Sequence, residues 1–477
     1  MLYGFSLLFA ALNIFLIIND FYWLLALPFA LVMMLLFFFS LDKLILLLVF
    51  LTPFTFKFEH EQLGFTIDVP TEPFMVAIML LFFLRLLYDL DYDKRVLKHP
   101  VTIFLVLNLI WMFVTSVTSE MPLVSFKYFI SRLWFVVPFY FFGVLLFKND
   151  YHNFQRYKWY FAASLAIMVI WITYKHYLDD FERMAALFNV APFFNDHTAY
   201  GAVLALVAPF FAVMFFNRNY SPLRRRVSLL LFLLFSTGIL LSFSRASWLS
   251  MMVAAGGFVI LALRIKFRWI LAGVVLVVAG FFTFQHEIYM TLERNTQESS
   301  ADFNEHLRSV TNITSDASNL ERINRWRSAI RMYEERPLVG WGPGTYQFVY
   351  APFQLSEDYT IISTHFGDVG NAHSEYLGPL AESGLPGMLT MVGLALSVLA
   401  TGVRLFKKAP TREMRLMALG ITLGFITYFT HGVLNNFLDT DKASVPFWGM
   451  MAMLVAMDVF YTPKPRKNLS PGQNPQQ

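Results

Sequence analysis

The stretch GNAHSEYLGPLAESGLPG, residues 370–387, decides how this sequence is interpreted. A long polar segment ends in it and an apolar helix begins. A histidine, His373, lies at that boundary, and Glu382 follows it by about two and a half helical turns. Polar and titratable groups are costly to bury at such a boundary, so these residues are candidates for function.

The composition around this stretch is that of a membrane protein. The chain has 477 residues, of which 57% are apolar, 18% aromatic and only 15% charged, whereas soluble chains are about 25% charged. Its apolar runs approach the ~20 residues that a crossing helix needs. We therefore predict an all-α, polytopic transmembrane helical bundle with about 12–14 spans and the lipid bilayer as its partner. The predicted spans lie near 1–18, 21–39, 43–56, 74–88, 101–118, 128–147, 158–177, 198–217, 227–243, 246–263, 267–284, 374–403, 416–437 and 443–461.

The basic residues orient these spans. If the N-terminus is cytoplasmic, 23 of the 37 Lys and Arg residues fall on the cytoplasmic side and seven in short outer loops, one of them Arg132. The other seven lie in one long outer segment, residues 285–372. Because Lys and Arg accumulate in cytoplasmic loops, both termini are predicted to be cytoplasmic. The resulting divisions are 1–284 and 373–462 for the membrane helices, 285–372 for the outer domain and 463–477 for a disordered tail.

The outer segment contains one clear helix. Its seven Arg residues face twelve Asp and Glu residues, and this acidic balance argues against a nucleic-acid partner. The pattern near 320–336 predicts an amphipathic helix with Ile323, Trp326, Ile330 and Tyr333 on its apolar face. Pro337 ends it, and the glycines of GWGPGTY (340–346) predict a tight turn.

Three groups of residues at the outer helix ends could carry chemistry. The first is His373 with Asn371 and Glu382. His373 either caps the following helix or acts on a substrate, and spacing alone leaves both open. For Glu382, a structural ion pair or a role in helix packing is favoured over catalysis, since a carboxylate within the membrane needs a partner.

The second group is cationic. Arg245 lies at the tip of a helical hairpin and either snorkels to lipid headgroups or binds phosphate bidentately. Arg322 and Arg325 lie one turn apart on the outer helix; most of its arginines form a solvated face, and one, Arg322, is expected to turn inward. The third group comprises Asn195 and His197, with polar residues around His431; capping is favoured for each one singly, although all could line one outer cavity. No metal-binding or P-loop motif is present, so no metal or nucleotide cofactor is predicted.

Taken together these motifs resemble the O-antigen ligase/polymerase family of bacterial envelope membrane proteins. The resemblance rests on SRASW (244–248), the Arg322–Trp326 spacing, RPLVGWGPGTY (336–346) and NAHSEYLGPLAESGLPG (371–387), in that order. It covers roughly residues 190–450. It implies a GT-C-like glycosyltransferase of the bacterial inner membrane that needs no metal and no nucleotide sugar.

The resemblance also implies substrates and roles. The donor would be an undecaprenyl-pyrophosphate-linked glycan, and the acceptor either lipid A–core, in lipopolysaccharide biosynthesis, or another carrier-linked glycan. His373 would activate the acceptor hydroxyl, while Arg245 and Arg322 would hold the pyrophosphate. Arg325, Asn371, Glu382, His197 and Asn195 are assigned to substrate binding. A ligase is favoured over a polymerase; a protein O-oligosaccharyltransferase and a solute transporter are the alternatives.

Overall fold

The structure is a computed structural model. It describes residues 2–19, 24, 27–60, 65–88, 92–266, 317–358, 363 and 370–462, with short pieces between 268 and 283. The predicted span at 267–284 therefore lies largely outside the described residues, as do residues 285–316 of the outer segment and the tail 463–477.

Helices account for 79% of the structure, which confirms the prediction of an all-α polytopic membrane protein. They are α1 (Leu2–Ile18), α2 (Leu27–Phe39), α3 (Leu41–Leu51), α4 (Glu72–Tyr88), α5 (Lys94–Leu97), α6 (Pro100–Val117), α7 (Pro122–Val136), α8 (Phe142–Asn149), α9 (His152–Leu178), α10 (Arg183–Phe188), α11 (His197–Phe215), α12 (Pro222–Leu241), α13 (Arg245–Ala262), α14 (Ala317–Glu335), α15 (Tyr346–Val349), α16 (Leu377–Lys408), α17 (Arg412–His431) and α18 (Asp441–Ala456). Short π-helical segments, Val137–Phe141 and Met457–Tyr461, join α7 to α8 and extend α18.

Seven helical stretches among the described residues are long and apolar enough to cross a membrane. They are Pro100–Val117, Pro122–Asn149, His152–Leu178, His197–Phe215, Arg245–Ala262, Leu377–Lys408 and Asp441–Tyr461. The predicted spans 21–39, 43–56 and 74–88 correspond to helices of 13, 11 and 17 residues. These are shorter than the ~20 residues of a straight crossing.

A β-hairpin follows α3 where the sequence analysis placed the end of a short span. Strands β1 (Phe56–His60) and β2 (Phe65–Val69) pair antiparallel, with Phe56 opposite Val69. The sequence FKFEH alternates apolar and polar residues, which is the periodicity of a strand. The apolar run before it concealed this change of period.

Helix α11 lies at the centre of the bundle and packs against α12, α13 and α17. Gly420 and Gly424, four residues apart on α17, let the two backbones approach, because a side chain at Gly424 would overlap the Leu206 carbonyl. The Thr427 hydroxyl donates to the Ala205 carbonyl at 2.8 Å. Small residues and one interhelical hydrogen bond therefore hold this interface together.

The outer segment docks where α16 is broken. Gly384 has a φ of 66° and interrupts the helix. Trp341 N–H donates to the Ala381 carbonyl at 3.1 Å, and Gly342 N–H to the Glu382 carbonyl at 2.8 Å. Leu385 N–H donates back to the Pro337 carbonyl at 2.9 Å. The two glycine-containing motifs of the sequence thus form a single structural unit.

The buried face of the outer helix differs from the predicted one, since Ile323, Trp326 and Tyr333 are only half-buried. The face of α14 that is buried carries Glu321, Asn324, Arg325, Ser328 and Ala329, whereas Ile330 is 43% exposed. Small and hydrogen-bonded side chains allow close packing on this face, and the ion pair within it satisfies its charges. Hydrophobic periodicity cannot identify a buried face of this kind.

Candidate active site

His373 lies in the connection that leads into α16. Its φ of 47° is in the left-handed region, which is uncommon for a residue other than glycine and occurs often at functional sites. Its N–H donates to Asn371 Oδ1 at 3.0 Å. Two residues on, Glu375 N–H donates to the carbonyl of Gly432, just after α17, at 2.7 Å. The histidine is thus held by contacts on both sides.

Arg325 fixes the backbone just before His373. It is buried, and its Nε donates to Glu321 Oε1 at 2.8 Å. Its Nη1 donates to the Asn371 carbonyl at 3.1 Å. Gly370 has a φ of 98°, and a side chain there would overlap the Arg325 guanidinium. Arginine, glycine and asparagine together therefore set the position of His373.

Positive charge surrounds the histidine. Burial and the charges of Arg325 and Arg322 together lower the pKa of His373 to about 4, and the charges of Asp196 and Glu321 partly oppose them. The imidazole is consequently neutral at neutral pH. His431, the last residue of α17, lies near the same Arg322 and Asp196. The structure thus brings His373, Arg322, Arg325 and Asn371 close to one another.

The start of α11 links this group to the hairpin that carries Arg245. Asp196 Oδ1 caps α11 by accepting from the N–H groups of Thr198 and Ala199 at 2.7 and 2.8 Å. His197 Nδ1 lies 2.6 Å from the carbonyl of Ser242, which ends α12, and Arg245 begins α13 three residues later. His197 therefore ties the Arg245 hairpin to the end of α11 that reaches the His373 group.

Glu382 and Asn195 lie elsewhere. Glu382 lines a cavity of about 240 Å³ and its Oε1 accepts from Tyr346 N–H at 3.0 Å. The segment 370–375 forms one wall of this cavity, but His373 is not among the described residues that line it. Asn195 lines a smaller cavity of about 110 Å³ beside the β-hairpin, which shares Asp439 with the larger one.

Two residues of the larger cavity escaped the sequence analysis. Arg132, which it placed in an outer loop, is buried within α7 and donates to the Leu438 carbonyl at 3.1 Å and to the Tyr128 hydroxyl at 3.0 Å. An ionisable residue inside an apolar helix was the signal available for it. Glu375 is buried, and only its place two residues after His373 pointed to it.

Glu375 organises the end of α17 and the connection to α18. Its Oε1 accepts from the Tyr428 hydroxyl at 2.8 Å and from the N–H groups of Phe437 and Leu438 at 2.9 and 3.1 Å. The same loop carries the carbonyl that holds Arg132. One buried carboxylate thereby joins the His373 segment to the wall of the cavity.

The described residues contain no cluster of three or more His, Cys, Asp or Glu side chains arranged to hold a metal ion.

Fold and site define a multi-pass, all-helical membrane protein with a histidine–arginine site where an outer helix meets the bundle. Residues 229–392 match the model of the family described as O-antigen ligase. The match confirms the predicted resemblance to the O-antigen ligase/polymerase family over these residues. It includes α13, α14 and the break in α16. No curated protein matches the chain.

Proposed function

We propose that this protein transfers a glycan from an undecaprenyl-pyrophosphate carrier to a hydroxyl of an acceptor, on the periplasmic face of the bacterial inner membrane. O-antigen ligase/polymerase-type function follows from the family match in general terms. The observation that carries the specific proposal is the nearness of His373 to the charges of Arg322 and Arg325. A base next to fixed positive charge is what displacement of a pyrophosphate requires.

His373 is proposed as the base. A neutral imidazole accepts a proton, and burial with two nearby arginines keeps His373 neutral. A bound pyrophosphate would offset those arginine charges and raise the pKa of His373 toward its ordinary value. The donor would thereby make the histidine a stronger base at the moment the acceptor reacts.

The arginines have different proposed tasks. Arg325 donates hydrogen bonds to Glu321 and to the Asn371 carbonyl, so its main proposed task is to position the His373 segment. Only its remaining N–H groups are left for a substrate. Arg322 and Arg245 are proposed to bind the pyrophosphate. A guanidinium presents paired donors to phosphate oxygens, which a lysine cannot.

The proposed step is a direct displacement. The acceptor hydroxyl oxygen forms a bond to the anomeric carbon while its proton moves to the His373 imidazole. The bond between the anomeric carbon and the pyrophosphate oxygen breaks, and its electron pair leaves with undecaprenyl pyrophosphate. Attack opposite the leaving group inverts the configuration. The imidazolium then releases its proton to solvent.

The acceptor is proposed to be lipid A–core, which makes the protein a ligase; a polymerase would use a second carrier-linked glycan. The test incubates purified protein in detergent with an undecaprenyl-pyrophosphate glycan, with EDTA, and with or without lipid A–core. A product that needs lipid A–core supports a ligase, and a ladder formed without it supports a polymerase.

The matched variants are His373→Ala and His152→Ala, since the side chain of His152 is 79% exposed at the opposite end of the bundle. His373→Ala should abolish transfer while membrane insertion and thermal stability remain close to wild type, and His152→Ala should retain activity. Full activity of His373→Ala would remove the histidine from the mechanism.

A further inference from the structure

The cavity of about 240 Å³ is lined by five residues of the 370–375 segment, and neither His373 nor Arg322 is among the described residues that line it. Three carboxylates line it, Glu375, Glu382 and Asp439, together with one cation, Arg132. Carboxyl groups outnumber the guanidinium three to one in this wall, and Asp439, whose pKa burial raises to about 6, is mostly ionised at neutral pH. A pyrophosphate would be repelled here, whereas a neutral ligand with many hydroxyl groups would find acceptors and one strong donor.

Aromatic surfaces form other parts of the wall. Trp111, Tyr128 and Trp448 line the cavity, and Trp111 is held by donating Nε1–H to the Ser383 carbonyl at 2.7 Å. Flat apolar faces beside a few well-placed polar groups are typical of pockets that take small polar ligands. The pyranose ring of a sugar has both an apolar CH face and a rim of hydroxyls.

Some polar atoms in this wall are not satisfied by the protein. Trp448 is 2% exposed, and neither its Nε1 nor Asn436 Oδ1 has a hydrogen-bond partner among the described residues. Buried polar groups are normally paired, with protein or with something bound. The cavity volume of about 240 Å³ gives room for one sugar ring.

We propose that this cavity binds one neutral sugar residue. The inference rests on the proposed function, because it supplies a place for a sugar of the acceptor or of the donor glycan beside the His373 segment. Glu382 and Asp439 accept from sugar hydroxyls, Arg132 donates to them, and an aromatic face packs on the ring. Sugar and pyrophosphate thus bind at separate sites beside one short segment.

The test measures direct binding to the purified full-length protein in detergent by saturation-transfer difference NMR. The probes are glucose, galactose and N-acetylglucosamine, with galacturonic acid as the acidic counterpart and inorganic pyrophosphate as competitor. At least one neutral sugar should give a signal, galacturonic acid a weaker one, and pyrophosphate should not displace the sugar. No signal from any neutral sugar, or displacement by pyrophosphate, would overturn the proposal.

Two variants locate the signal. Asn436→Leu and Asp439→Asn change the cavity wall and should weaken sugar binding at least tenfold, whereas His373→Ala should retain it. Equal binding by wild type and both wall variants would place the sugar elsewhere and overturn the proposal. If the wild-type protein gives a sugar signal but has no transfer activity, only the proposed function is contradicted. If it has transfer activity but gives no sugar signal, only the proposed sugar site is contradicted.

The same variants distinguish the two sources of the sugar. If Asp439→Asn raises the KM for lipid A–core, the cavity holds an acceptor sugar. If it raises the KM for the carrier-linked glycan, the cavity holds a donor sugar. Unchanged KM values for both substrates would contradict a sugar site that serves transfer.

Discussion

The pH dependence of transfer tests the environment of His373 directly. Its pKa is lowered to about 4 by burial and by the charges of Arg325 and Arg322. At pH 5.5 a histidine with that pKa is about 97% neutral, whereas one with an ordinary pKa of about 6.5 is only about 9% neutral. If neutral His373 is the base, the rate at pH 5.5 should be nearly that at pH 7.5. An exposed histidine would instead lose about nine-tenths of it.

The assay is kcat/KM for the carrier-linked glycan between pH 4.5 and 8, because this ratio reports the free enzyme. Arg322→Gln removes one of the charges that lower the pKa of His373. The inflection in the pH profile of this variant should therefore move to higher pH. It should not reach the ordinary histidine pKa, since burial is the largest cause of the lowered pKa. Arg331→Gln is the matched control, because Arg331 pairs with Asp358.

An inflection near pH 6.5 in the wild-type enzyme would refute this account of the His373 environment. Equal shifts in Arg322→Gln and Arg331→Gln would refute the role given to Arg322. The lowered pKa of His373 also makes the stability of the protein depend on pH. The unfolded state binds more protons than the folded state between pH 4 and 6.5, so His373 makes the free energy of unfolding fall as the pH drops through that range.

Three further substitutions test the scaffold. Glu375→Ala leaves three donors without their acceptor and should lower the free energy of unfolding by several kcal/mol, at about 1–3 kcal/mol for each unsatisfied buried group. Glu375→Gln keeps an acceptor oxygen and should lose less. An equal loss of stability in both variants, measured by thermal unfolding in detergent, would contradict this. Gly384→Ala places a side chain in a left-handed position against the Leu338 carbonyl and should cost at least about 2 kcal/mol, while Gly256→Ala, which meets open space, should be neutral in the same measurement. Arg325→Lys keeps the charge but cannot bond both partners, so transfer should fall on the order of tenfold; activity like wild type would exclude a positioning role.

The membrane class of the fold was predictable because apolar composition and helix length determine it. The β-hairpin and the buried face of α14 were not. In α14 the buried residues include an ion pair, Glu321 with Arg325, and Asn324, which periodicity assigns to solvent. Such a face becomes favourable only when the partner surface supplies matching hydrogen bonds, and that surface lies up to fifty residues away in the chain.

The candidate site was predictable in part for a related reason. His373, Arg322 and Arg325 stand out because polar residues are conspicuous beside apolar helices. Arg132 was equally conspicuous but was counted with the outer loops, although the predicted span 128–147 already contained it. Which polar residues line the cavity and which lie near His373 depends on side-chain direction, and a sequence without its tertiary contacts does not provide that direction.

The break in α16 explains why the site needs both parts of the chain. Gly384 opens the helix so that the carbonyls of Ala381 and Glu382 can accept from the turn after α14. That docking fixes α14 against the bundle, and α14 carries the arginine that bonds the Asn371 carbonyl. From the other side, Glu375 ties the same segment to α17. The position of His373 is therefore set jointly by the outer helix and the membrane helices, and loosening either should disturb the imidazole without any change to the residues beside it.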